Sequence, residues 1–234
     1  MHHFRAPDAR RFVSASLMIG IAFVIFGASF GVLSVSAGAS VAQSCAMSLL
    51  VFTGASQMSA VSVLASGGTV ASAFGGAVLL SGRNAVYGLA MSPVLKEGSL
   101  ASRLLGAQWV IDETTAIVSA ETDPTTRRTA FWISGAILYA SWNIGTLLGA
   151  LVGSSINPSD FGLDAAFPVM FTAMIAPHLR TSAGRKAALF GAIAAVALAP
   201  FMPIGLPILV SALGMLFGIS PTTSEPTVTS DGAP

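Results

Sequence analysis

The chain has 234 residues, of which 53% are hydrophobic and only 9% charged, with a formal net charge of +1. Soluble domains carry about 25% charged residues, so the composition excludes a soluble globular protein, and the near-neutral balance gives no charge-based case for nucleic-acid binding. A single cysteine, Cys45, excludes an intrachain disulfide framework, and three histidines, two of them the tail residues His2 and His3, argue against a multi-histidine metal site.

The expected fold is all-α, a polytopic transmembrane helical bundle of seven or eight spans. Apolar runs of about 20 residues, enough to cross a bilayer, cover 12–36, 41–66, 69–95, 100–120, 129–153, 163–179, 185–201 and 203–219. Residues 1–11 read as a cytoplasmic tail, 12–219 as the membrane domain, and 220–234, polar and rich in Pro and Thr, as a disordered tail. The first run follows Arg5, Arg10 and Arg11 and ends near Ala37-Gly38-Ala39, a small-residue pattern found at signal cleavage sites. It is longer than the usual 7–15-residue apolar core of a signal peptide, so it is expected to stay as a span.

Within the second run, VFTGASQMSA at 51–60 places a Gly-Ala-Ser-Gln step in apolar sequence. A helix broken near 54–57 would expose backbone groups able to hold a zwitterionic solute, because a helix N-terminus favours a carboxylate. Gly54, Ala55, Ser56 and Gln57 are therefore candidate substrate-binding residues. The alternative is an unbroken helix with Gly54 packed on a neighbour and Gln57 bonded across helices.

No charged side chain occurs between Arg11 and Arg83. An ionisable group at membrane depth costs roughly 2.5–3.5 kcal/mol. Arg83 lies about 20 Å from either end of its run at 1.5 Å per residue, too deep to snorkel. With Asn84 beside it, and a break near 82–84 allowed by Gly82, it is a candidate substrate ligand. Otherwise it belongs to a structural ion pair.

In the fourth run, Asp112 and Glu113 sit inside QWVIDETTAIVS at 108–119. On a continuous helix Gln108, Asp112, Thr115 and Ser119 form one polar stripe, and Glu113 points about 100° away. Both carboxylates are candidate proton-coupling residues, Asp112 the better placed, unless they only pair with Arg83. Asn143, mid-run in YASWNIG, needs a partner and is a further candidate binding residue. His178 is expected at a cytoplasmic helix end.

Gly27-x-x-x-Gly31, Gly145-x-x-x-Gly149-x-x-x-Gly153 and Gly214-x-x-x-Gly218 have the spacing of close helix packing. FGASFG at 26–31 echoes YASWNIG at 139–145, one of three such echoes at offsets of about 112–119 that hint at a duplicated three-helix unit. Eight simple crossings with the N-terminus inside would put Arg5, Arg10, Arg11, Arg127, Arg128, Arg180, Arg185 and Lys186 in the cytoplasm and Lys96 and Arg103 outside.

VFTGASQMSAV, the Arg83 segment with Tyr87, QWVIDETTAI, FGASFGVL and FGLDAAFPVMFTAMI at 161–175 together resemble the large subunit of bacterial branched-chain amino acid exporters, the AzlC-type family, over roughly residues 12–200. That family usually has Asn two residues before the arginine and His directly after it, where this chain has Ser81 and Asn84. The resemblance implies a multi-pass inner-membrane exporter of hydrophobic amino acids and a small hydrophobic partner subunit of AzlD type. The expected protein is thus a permease, not an enzyme, driven by proton entry, in a lipid bilayer with a small amino acid as substrate and no metal, cofactor or nucleic acid. An exporter of another small solute, or a non-transporting membrane subunit, is the alternative.

Overall fold

The computed structural model describes residues 6–153, 175–202 and 206–214, with isolated positions between them. The expected span at 163–179 lies largely outside the described residues, that at 203–219 is described only over 206–214, and the polar tail 220–234 lies wholly outside them. Helix α1 runs over Ala6–Ser36, so it already begins within the segment expected as a tail. It is followed by α2 (Val41–Val51), α3 (Gly54–Ala65), α4 (Val70–Leu95), α5 (Leu100–Gln108), α6 (Asp112–Ser119) and α7 (Pro124–Gly153). After the gap come a short 3-10 turn at His178–Arg180, α8 (Ser182–Leu198) and α9 (Leu206–Ser211). No strand occurs among the described residues.

The spine is α1 packed along α7, both long and apolar enough to cross a membrane. Their seam is made of glycines. A Cβ at Gly31 would collide with the Thr146 carbonyl, one at Gly145 with the Val24 carbonyl, and one at Gly149 with the Ala28 carbonyl. Backbone thus meets backbone along the length of the pair, as the small-residue spacing predicts. Ser44 at the start of α2 bonds Ser34 near the end of α1 (2.8 Å), and Arg11 near the start of α1 bonds Glu121 just before α7 (2.7 Å).

Levels along this spine show that two expected spans are not crossings. Helix α2 enters beside the end of α1, bonds Thr146 through Ser48 and stops at Phe52, whose ring meets Phe23 and Tyr139 half-way along the spine. Helix α3 then turns back. Gln57 donates to the Met47 carbonyl at 3.0 Å, and Ala60 and Val63 pack with Met47 and with Ala73 of the next helix. Helix α4 starts there and crosses to the opposite end, where Met91 and Val94 pack with Phe12 and Phe131. From that end α5 rises until Gln108 reaches the Leu49 carbonyl at 3.0 Å, and α6 returns so that Val118 packs beside Phe12 and Ala130.

At 1.5 Å per residue, α2, α3, α5 and α6 are each about 12–18 Å long, roughly half of a 30 Å hydrocarbon core. The runs 41–66 and 100–120 are therefore two re-entrant hairpins that enter from opposite faces and meet at mid-depth. Up to residue 153 three helices, α1, α4 and α7, run the length of the bundle, where the apolar runs suggested five. α1 with the first hairpin is repeated in inverted orientation by α4 with the second, an arrangement found in transporters. This repeat has a different register from the echo between 26–31 and 139–145, whose segments lie on the parallel neighbours α1 and α7.

The breaks also differ in place from the sequence expectation. The first falls at Phe52 and Thr53, so Gly54–Gln57 form the opening turn of α3. Residues 82–84 lie within an unbroken α4. A second, unexpected break falls at Trp109–Ile111. Helix ends at depth carry carbonyls and amides with no intrahelical partner, and several of these are met by side chains. The Leu49 carbonyl accepts from Gln108 and from the Tyr139 hydroxyl (2.9 Å), and Thr114 accepts from the Ile111 amide (3.1 Å). Leaving one such buried group unmet costs about 1–3 kcal/mol.

The hairpins move two cations. Lys96 and Arg103, expected outside, lie with Arg10, Arg11, Arg127 and Arg128 at the end of the bundle where α1 begins. The opposite end, with the turns at Gly38 (φ +98°) and Gly67 (φ +82°), carries no charge up to residue 153. Large apolar side chains on the outside of α1, α4 and α7, including Ile21, Phe74, Leu89 and Leu148, are exposed to the surroundings that lipid would fill.

Two predictions follow from this arrangement. In a Cys45→Ala background, Ser36→Cys and Ser66→Cys label with an impermeant thiol reagent from one side of the membrane, and Glu97→Cys and Thr122→Cys from the other. Simple crossings would instead pair 36 with 97 and 66 with 122. For the seam, Gly149→Leu forces α1 from α7 and abolishes folded, monodisperse protein in detergent, whereas Gly82→Ala, with no atom within 4 Å of the added carbon, leaves the melting temperature unchanged.

Candidate functional site

The two hairpin tips and the middle of α4 surround a cavity of about 330 Å³. One pole is polar. Thr53, Gly54 and Ala55 line it from the first tip, Asp112 and Glu113 from the second, and Arg83 and Asn84 from α4. The other pole is apolar, formed by Ile19, Phe23 and Phe26 of α1, Phe52, Ile111 and Trp142. Phe23 meets the Trp142 ring edge-on at 5.9 Å, so this wall is a packed aromatic surface. Its volume falls at the lower end of the ~300–1,000 Å³ range of small-molecule sites.

The polar pole is built by the breaks. Helix α3 begins at Gly54 with no side-chain cap, and the Thr53 hydroxyl is buried without a partner. The opening amides of α3 and the positive end of its dipole therefore face the cavity. Gly54 is required by space, since a Cβ there would stand 2.9 Å from the Trp142 ring. In the second hairpin, Thr114 anchors the turn by donating to the Trp109 carbonyl at 2.8 Å. Asp112 and Glu113 then occupy the first turn of α6, where the helix dipole favours negative charge.

Arg83 extends from α4 to Asp112, with its Nη1 2.8 Å from Oδ2. Both side chains are about one-third exposed, at 34% and 29%, so the pair is reached by solvent in the cavity. Glu113 makes no ion pair among the described residues. With both carboxylates ionised, the three groups carry one net negative charge.

Of the residues singled out from sequence, Gly54, Ala55, Arg83, Asn84, Asp112 and Glu113 are brought together here. Ser56 is directed to Ser81 of α4, oxygen to oxygen at 2.8 Å. Gln57 is fully buried and holds the first hairpin closed through Met47. Asn143 donates to the Tyr139 carbonyl of its own helix at 2.8 Å and does not line the cavity. The expected stripe of Gln108, Asp112, Thr115 and Ser119 is cut by the break at 109–111, which leaves Gln108 on α5 and turns Glu113 into the cavity beside Asp112. His178, expected at a helix end, stands in the short 3-10 turn just before α8.

The contribution of Phe23, Phe26 and Phe52 to the aromatic wall and the second break were not foreseen. Paired acids directly after Val110-Ile111, followed by Thr114, are a helix-start signal, hidden by the apolar run around them. Exchanging the charges tests the ion pair. Arg83→Asp or Asp112→Arg alone places like charges together at depth and destabilises by about 2–3 kcal/mol, the lower end expected for a partly solvated pair. The double exchange recovers a measurable part of that loss in a thermal melt.

The chain matches the family model described as "AzlC protein" over residues 18–156. It is 29% identical over 206 residues to the inner membrane protein YgaZ of Escherichia coli strain K12, covering 82% of this chain and 84% of that protein. It is also 26% identical over 199 residues to an uncharacterised membrane protein of Helicobacter pylori strain 26695, covering 84% and 86%. No solved structure matches the chain.

Proposed function

The chain belongs to the AzlC family of membrane proteins, and we propose that it is an inner-membrane permease that exports hydrophobic, branched-chain amino acids, driven by proton entry. The observation that carries this reading is the two-poled cavity. A hydrophobic amino acid is a zwitterion with an apolar side chain, and each part finds its complement. The carboxylate suits the open N-terminus of α3 and the Arg83 guanidinium. The ammonium suits the unpaired Glu113 carboxylate, and the aliphatic group suits the Phe23, Phe26 and Trp142 wall. A purely structural subunit would call for a closed network around the three ionisable groups. A cavity beside them supports transport instead.

Glu113 is the proton carrier in this reading. Asp112 is already neutralised by Arg83, so the site's surplus negative charge resides on Glu113. Protonation of Glu113 removes its attraction for the substrate ammonium, and release of the proton restores it. Proton and amino acid thus compete for one group, which couples their opposite movements. The inverted hairpins support alternating access, since each tip joins the cavity to one face.

The concentration of Lys and Arg at the end where α1 begins supports a cytoplasmic N-terminus on the positive-inside rule. A small hydrophobic partner subunit of AzlD type belongs to the same proposal. The experiment is efflux of labelled leucine, valine and methionine from cells expressing this chain with and without its genetic neighbour. Efflux above the empty-vector control is expected for at least the branched-chain substrates. Retention equal to the control for all three, in both settings, removes this substrate class. Glu113→Gln is expected to insert normally and bind substrate weakly, and to make residual transport independent of the proton gradient. Unaltered gradient dependence would remove Glu113 as the carrier.

A further inference from the structure

A second depression, of about 390 Å³, lies between α4 and α5 on the outside of the bundle. It begins at the charged end, between Lys96 and Arg103, and runs inward past Ser92 and Gly88 to Asn84 and Val110. Its outer rim is apolar and open. Leu100 is 71% exposed and Leu104 is 64% exposed. Nothing lies within 4 Å of a Cβ placed on Gly88, so the floor of the groove is empty there.

The charges at the mouth differ from the others at that end. Arg11 pairs with Glu121 and Arg128 with Glu97, whereas Lys96 and Arg103 make no ion pair among the described residues. Among the described residues, two unpaired cations therefore flank the entrance of a groove whose remaining lining, apart from Ser92 and Asn84, is apolar and which opens to the outside of the bundle. Free amino acid is a poor occupant, because its ammonium would stand beside two cations and the open side of the groove would face hydrocarbon. The matching occupant has an anionic head and a long apolar tail.

We propose that this groove is a binding site for an acidic phospholipid. Its phosphate sits between Lys96 and Arg103, and one acyl chain lies over Gly88 toward Val110. A cation near an anionic headgroup contributes about 1 kcal/mol, and the groove adds apolar burial to that attraction. The inner end at Asn84 is also part of the wall of the central cavity, so an acyl chain in the groove presses on the site from outside. The inference depends on the membrane location of the chain and on this geometry, and stands whichever solute is carried.

The test uses the purified full chain in detergent. Its melting temperature is measured during titration with phosphatidylglycerol, with phosphatidylcholine of the same acyl chains, and with glycerol phosphate. Phosphatidylglycerol is expected to raise the melting temperature saturably, and the other two to leave it unchanged. In the double variant Lys96→Gln, Arg103→Gln, the apparent affinity for phosphatidylglycerol falls roughly thirtyfold, two contributions of the size above. Gly88→Leu, which keeps both cations and fills the groove, also weakens the effect, while Arg10→Gln at the same end does not. Equal stabilisation by phosphatidylcholine overturns the proposal. So does full protection by glycerol phosphate alone, an unchanged response in the double variant or in Gly88→Leu, or the absence of any shift.

Discussion

Backbone that leaves the helix at membrane depth must find a partner for every amide and carbonyl it frees, because hydrocarbon offers none. Up to residue 153 the chain does so at two places, 52–53 and 109–111, and much of the polar inventory there is committed to that task. Gln108, Tyr139 and Thr114 each bond a backbone group at or beside a break, and Gln57 ties α3 back to the Met47 carbonyl of α2. The two tips also serve each other, since Gln108 of the second hairpin bonds Leu49 of the first. Each hairpin is thus incomplete without its counterpart, and their meeting point is a level, at mid-depth among the described residues, at which unshielded helix ends face a cavity.

The glycine seam between α1 and α7 supplies the rigid side of that arrangement. Backbones in contact along three successive glycine positions leave no room for the helices to slide. The pair carries the aromatic wall, with Phe23 on one helix and Trp142 on the other, and sets the distance to Gly54. Helix α4 supplies Arg83 from the opposite side without a break of its own. The cavity is therefore bounded by fixed spans on two sides and by the tips of shorter elements on the others.

The charge pattern has a corresponding logic. Arg83 and Asp112 neutralise each other, so burying them is less costly than burying either alone. Glu113, left over, benefits from the α6 dipole and from access to the cavity. In the proposed mechanism, an acid discharged by a proton stands next to a cation–anion pair that need not change, which separates the group that would cycle from the groups that hold the site together.

Much of this was legible in the sequence. Composition fixed the all-α membrane class, because a surface with 9% charge cannot be presented to water. Depth along an apolar run marked Arg83, Asp112 and Glu113, and Gly54 was flagged by its departure from helix-forming sequence. Small-residue spacing marked the α1–α7 seam. Hydropathy could not show that the runs 41–66 and 100–120 turn back at mid-depth. A hairpin of two half-length helices has the same length and apolarity as one crossing helix, and only its neighbours reveal its direction. For the same reason the stripe that set Asp112 above Glu113 was read on a helix that does not continue, and Lys96 and Arg103 were assigned to the wrong face. Membrane residence and the key residues follow from local chemistry. Which residues share a cavity depends on where the chain reverses, and that was decided by tertiary bonds such as Gln57 to Met47, which ties the two arms of the first hairpin, and Gln108 to Leu49, which satisfies a carbonyl freed at its turn.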